Sequence, residues 1–434
     1  LFTRTRRAHY LFAASLFGIL GFHVGVWAVQ LAQLAAGLRL DPARLGAAVT
    51  VAAAAGLVTL FAGGRLADRV GRRPVLVTGF AGTGVAFVLL ALAGRFAALV
   101  PAVLLYGLAV SFVDLGANTV GSAYERAYAV TAMTGLHAWF SGGALAGALG
   151  SAVALSAGVS YRGVYLGLAI VMAGGVLVAL FGPMPAPPAD AACEPDSRAG
   201  SPRVWRIPAV LFAIALISVT FFGDGALESF LSSYLQRTLA GGVLLSGFGI
   251  GSYHLASLLG RLTATATLRR FGERRVVLAA GLLAAAGLLV AVTAPDAPGA
   301  IGGLLLVGFA VAPVVPVTLS LAGRSAPGRS GQAVATTTAA GYGAFIVSPL
   351  TIGLLAQATN LRVALACLIL TSLGIAGLAT RWPGPDRHDV RLSRLGDAGK
   401  LLARVSVAAT RIRRHCFNSA SYCGYLPPAI EAVG

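Results

Sequence analysis

Long apolar runs separated by short polar intervals dominate the chain. Taken in order, they predict helices over 9–36, 45–64, 74–94, 97–123, 132–157, 162–182, 207–236, 243–265, 275–295, 299–322, 332–357 and 362–382. As helices, runs of about 20 residues cross a hydrocarbon layer of ~30 Å. The runs are too long for barrel strands and lack period-two alternation. The expected fold class is an all-α membrane protein with twelve transmembrane helices.

Residues 183–206, PMPAPPADAACEPDSRAGSPRVWR, interrupt this pattern with proline, alanine and charge. Their composition is that of a linker. They divide the spans into two sets of six, giving an N-terminal half over 1–182 and a C-terminal half over 207–382. A basic tail follows over 383–434. The halves look related: GRLADRVGRRPVLVTG from Gly64 has a counterpart in GRLTATATLRRFGERRVVLAAG from Gly260, which carries about five extra residues. Internal duplication suits a carrier in which two halves rock about a central site.

Composition supports the membrane reading, with 57% hydrophobic and 11% charged residues against roughly 25% charged in soluble domains. A formal charge of +18 would suggest nucleic acid in a soluble protein, so the placement of the arginines decides the matter. They concentrate on one side. If the N-terminus is cytoplasmic, basic residues between the spans favour the inside by about three to one, as the positive-inside rule requires with both termini inside. The expected setting is a bacterial cytoplasmic membrane, with no cleavable signal peptide and no nucleic-acid partner. The tail segment 390–414 has helical spacing compatible with an anionic membrane surface, or is an unstructured basic tail. Cys193, Cys367, Cys416 and Cys423 have no metal-ligand spacing.

At GRLADRVGRRP the sequence resembles the major facilitator superfamily, matching its Gly-x-x-x-Asp-Arg-x-Gly-Arg-Arg pattern between helices 2 and 3 through Gly64, Asp68, Arg69, Gly71, Arg72 and Arg73. The resemblance implies two pseudo-symmetric six-helix halves and assigns these residues to a conformational latch. A narrower resemblance rests on DLGANTVGSAYER, LHAWFSGGALAGALG, GDGALESFLSSYL and GFAVAPVVPVTLSLAGRSAP. These are similar to the YbjJ-like branch, itself similar to fucose permease-type sugar/proton symporters. Asp114 and Asn118 match the acid and amide of the fourth helix there, where the acid takes part in proton coupling. The permeases carry a second acid in the first helix; here GFHVGVWAVQLAQ has none. The Gly-Pro-x-x-Gly-Gly pattern of drug/proton antiporters is also absent from the fifth span.

Of fifteen acids, only Asp114, Glu125, Asp224 and Glu228 fall in predicted spans. A charge at membrane depth costs roughly 2.5–3.5 kcal/mol on insertion scales, so each should face a partner or a wet cavity. Asp114, Asn118 and Glu125 share one helix face. Burial disfavours the charged form of a carboxyl group, which suits Asp114 to binding and releasing protons. Glu125 is expected to pair with an arginine at the interface, Arg126 being adjacent. Asp224 and Glu228 are one turn apart, a spacing suited to proton or cation handling, although Glu228 reaching the outer interface is an equal alternative. His137 is a candidate relay, while His23 and His254 are less so. His23, Trp27 and Gln30 lie on one face of the first span and are expected to line a cavity for a small polar ligand. Pro313 and Pro316 mark a break in the tenth.

The expected function is secondary active transport of a small solute, sugar-like or another small metabolite, coupled to protons and carried out by a monomer without a cofactor. An exporter of drugs or metabolites is the alternative within this class. A membrane sensor is a further one, disfavoured by the lack of an output domain. No nucleophile and base pair or phosphate loop suggests an enzyme.

Overall fold

The computed structural model describes residues 2–130, 132–185, 204–326 and 329–383. The linker between 186 and 203 and the tail from 384 onward lie outside the described residues. The helices are α1 (Phe2–Gly37), α2 (Pro42–Val70), α3 (Arg72–Leu92), α4 (Phe96–Tyr128), α5 (Met133–Ser156), α6 (Tyr161–Phe181), α7 (Pro208–Ser233), α8 (Gly242–Phe271), α9 (Glu273–Thr293), α10 (Ala297–Val311), α11 (Val314–Arg324), α12 (Ser330–Ala358), α13 (Leu361–Ala366) and α14 (Leu368–Thr380). Twelve spans result, because α10 with α11 and α13 with α14 each form one. The first of these breaks falls at Pro313, which has no N–H to continue the ladder.

Helices are the answer to an apolar solvent, since every backbone group must be paired within its own segment. Their exposed side chains, among them Leu92, Ile170, Phe181 and Leu370, are apolar and face outward where lipid would lie. Four helices start with a side-chain cap from the residue before them: Asp41 accepts from the Arg44 amide, Ser160 from Gly163, Asp296 from Gly299 and Asn360 from Val363. Such caps satisfy amides that the first turn leaves unpaired.

Even helix numbering makes one end of the bundle carry the linker and both termini. Call this the linker face and the opposite end the far face. At the linker face the helices outrun the expected spans: α2 continues to Val70 and α8 to Phe271, so the duplicated motif is helix and not loop, apart from one glycine in each copy. Gly71 (φ 85°, ψ 163°) and Gly272 (φ 81°, ψ 163°) make the same turn. That region is open essentially to glycine alone. Just beyond each turn an arginine reaches the end of its half's last helix. Arg73 donates to the carbonyls of Ala179 (2.7 Å), Leu180 and Gly182 (2.9 Å), and Arg274 donates to that of Thr380 (3.2 Å). A cation there satisfies carbonyls left free by the last turn and complements the helix dipole.

The two halves meet at the far face. Thr50 of α2 donates to the Ile346 carbonyl of α12 (2.8 Å), and Ser232 of α7 to the Val29 carbonyl of α1 (3.0 Å). Gln33 donates to Gln236 (2.6 Å) and Arg237 to the Ala32 carbonyl (2.9 Å). Gln236 and Arg237 sit on a π-helical turn, Tyr234–Thr238, that ends α7. Backbones also touch: a Cβ on Gly353 would stand 2.4 Å from the Pro42 carbonyl oxygen, and one on Gly46 2.2 Å from that of Pro349. Only glycine permits this approach.

Candidate functional site

Below the far-face contacts, α4, α5, α7, α8 and α12 carry exposed or partly exposed polar side chains, Asp114, Asn118, His137, Glu228, Arg261 and Tyr342, and we take the space between them as the candidate site. On α4, the Asn118 amide donates to both the side-chain and main-chain oxygens of Asp114, at 2.9 Å each. The helical spacing of four residues makes this pair. Asp114 and Asn118 are only partly buried.

On α7, Asp224 accepts from the Tyr253 hydroxyl of α8 (3.3 Å) and also borders a cavity of about 20 Å³ within the C-terminal half, lined by α7, α9, α10 and α14, room for about one water. Glu228 is exposed although residues 225–227 and 229–235 are all buried. One turn above it, Ser232 is 1% exposed and bonded across to α1. Glu228 is thus an accessible carboxyl directly beneath a closed contact between the halves. Its charge acts on Tyr106 of α4, Tyr253 of α8 and Tyr342 of α12, and Tyr342 also senses Asp114. The helix continues beyond Glu228 through Ser233 and into the π-turn.

His137 on α5 is exposed toward this space, edge-on to Phe17 at 5.2 Å. It lies within the field of Arg261, a residue near the end of the predicted 243–265 span that the sequence pattern does not single out. In the structure Arg261 is inside α8, ten residues before its end at Phe271. The exposed or partly exposed positions His254, Leu258, Arg261 and Thr265 follow one another at helical spacing. They form a stripe toward the space, distinct from the outward stripe of Leu255, Leu259 and Leu262. Arg261 also acts electrostatically on Asp224, Glu228, Tyr253 and His254.

Other expectations change. His23 (1% exposed) bonds the Tyr106 hydroxyl at 3.2 Å, and Gln30 (0% exposed) donates to Ser151 at 3.0 Å. Both are buried interhelical bonders and not cavity-lining residues in this conformation. Trp27, half-buried, stacks on Tyr106 with centroids 4.4 Å apart. Glu125 pairs with no arginine among the described residues: its Oε1 accepts from the amides of Ala132 (2.6 Å) and Met133 (2.8 Å), capping α5. The first amides of a helix are unpaired donors at its positive end, so a carboxylate there is better placed than at an exposed ion pair. In the expected latch, Arg72 donates to the Pro185 carbonyl (2.9 Å) and Arg73 caps α6, while Arg69 is exposed. The surroundings of Gly64 and the side chain of Asp68 lie outside the described residues.

A family model described as Major Facilitator Superfamily matches residues 11–349 and 214–420. The chain belongs to this superfamily. An uncharacterized MFS-type transporter of Yersinia pestis is 26% identical over 374 residues, covering 84% of this chain and 93% of that protein. Membrane protein MosC of Rhizobium meliloti is 25% identical over 377 residues, covering 86% and 89%. Among solved structures, the nucleoside transporter NupG superposes with a TM-score of 0.70 at 15% identity, covering 86% of this chain and 98% of NupG. A bacterial homolog of the human lysosomal transporter Spinster gives 0.67 at 15% identity over 86% and 96%. The major facilitator fold is thus common to all of these, and the protein is a multi-pass membrane transporter of a small molecule.

Proposed function

We propose that this superfamily member is a proton-coupled carrier of a small polar solute, sugar-like or another small metabolite, acting as a monomer in a bacterial cytoplasmic membrane. The narrower likeness to YbjJ-like and fucose permease-type symporters belongs to the same proposal. By the positive-inside rule the arginine-rich linker face is cytoplasmic, with both termini, and the conformation described is open inward. The latch residues Arg72 and Arg73 then hold the cytoplasmic corner of the N-terminal half.

The observation that carries the reading is the accessible Glu228, beneath the closed far face and in electrostatic reach of groups from both halves. Asp114 with Asn118 supplies the N-terminal side of the site, and Asp224 with Glu228 the C-terminal side. Closing a low-dielectric space over carboxylates is costly unless they are neutralised. Protonation, or a bound solute, therefore controls whether the cavity can close and reopen outward. The absent carboxylate in α1 has its functional counterpart in the α7 pair.

The test is solute uptake into proteoliposomes with and without a pH gradient, using a panel of sugars, nucleosides and organic acids. Asp114→Asn should abolish gradient-driven accumulation while exchange across the membrane continues. Unchanged accumulation in that variant would remove Asp114 from coupling, and no movement of any solute would overturn the carrier reading.

A further inference from the structure

Arg261 is a cation inside an apolar span, ten residues before the end of α8, with no ion-pair partner among the described residues. Among the described residues the ion pairs are Arg44–Asp41 and Arg324–Glu273, and Arg261 takes part in no ion pair or hydrogen bond. It is exposed on the cavity stripe of α8. Two carboxyl groups of α7 and His137 of α5 lie within its field without contacting it. An arginine kept for stability alone would be drawn into a bidentate pair with one of these acids, since the guanidinium fork fits a carboxylate and loses little entropy in doing so. Here it is exposed and stays unpaired.

We propose that Arg261 receives a carboxylate of the transported solute, so that the substrates are small hydroxylated monocarboxylates. The proposal rests on the cavity being the solute site. A single guanidinium matches a single carboxylate in two parallel hydrogen bonds. A dianionic group would be repelled by Asp224 and Glu228 close by. On α4 and α12, Asp114, Asn118 and the hydroxyl of Tyr342 offer acceptors and donors to hydroxyl groups. The solute carboxylate would thus lie toward α8 and its hydroxyls toward α4 and α12, bridging the two halves.

The experiment uses the full-length protein in lipid nanodiscs, titrated calorimetrically with gluconate and with the neutral polyol glucitol. Gluconate should bind and glucitol should bind at least 10-fold more weakly. Arg261→Gln should weaken gluconate at least 10-fold and leave glucitol unchanged, while Arg261→Lys restores part of the gluconate affinity. Equal binding of the two probes, no binding of gluconate, or an unaltered gluconate affinity in Arg261→Gln would overturn the assignment. Uptake separates it from the carrier reading. If a neutral solute accumulates with the proton gradient while gluconate does not bind, the anion assignment fails and proton-coupled transport stands; if gluconate binds but nothing accumulates, the reverse holds.

Discussion

Glu125 shows how a residue can be found by sequence and its partner missed. An acid near the end of a span is anomalous enough to be noticed, but a neighbouring arginine is the obvious partner, and nothing local announces that the chain turns back to place α5's first amides over the carboxylate. The cap also couples α4 to α5. Glu125→Gln keeps an acceptor but loses the charge at the helix end, and Glu125→Ala loses both. The expected destabilisation is about 1 kcal/mol for alanine and less for glutamine, read as a lower thermal midpoint in detergent. Arg126→Ala should change it little. Arg261 was legible in principle: it lies three residues past Leu258 and seven past His254, on one stripe. The repeat concealed it, because Gly260-Arg261-Leu262 aligns with Gly64-Arg65-Leu66 and so reads as part of the linker-face motif.

At the scale of elements, the twelve spans and the break at Pro313 were visible because hydrophobic run length and proline chemistry act locally. The far-face junction was not, because it depends on which glycine meets which backbone across the molecule. Gly353 approaches the Pro42 carbonyl, and the side chain added by Gly353→Val would meet that oxygen. Gly353→Val should hold the far face open. A single cysteine at Ser232, buried now, would then react readily with a membrane-impermeant maleimide from the far side in a background lacking native cysteines. Unchanged labelling would show that the junction yields elsewhere. The π-turn carries a milder lever. Removing the Arg237 bond to Ala32 with Arg237→Ala costs roughly 1 kcal/mol of closed-state stability, and labelling at the same cysteine should rise about five-fold.

For the whole molecule, the sequence conveyed two related halves and an acidic interior, and the structure adds how the halves share their work. Each half secures its own linker-face corner: a glycine turn of the same geometry, then Arg73 or Arg274 holding the end of the last helix. Contacts that must break during rocking are therefore confined to the junction between halves. A disulfide joining Thr50→Cys to Ile346→Cys should stop net flux while leaving binding from the linker face intact, a result measurable by comparing uptake with calorimetry before and after reduction. Loss of binding as well would mean that closure reshapes the cavity itself.

The matching turns at Gly71 and Gly272 have a consequence for how such a carrier tolerates change. Because each half is braced internally, a substitution inside one half should alter its melting without shifting the balance between inward and outward states. One at the junction should do the opposite, leaving melting nearly constant while redistributing conformers. Stability and directionality are then separable traits in this protein, open to independent adjustment by selection or by engineering.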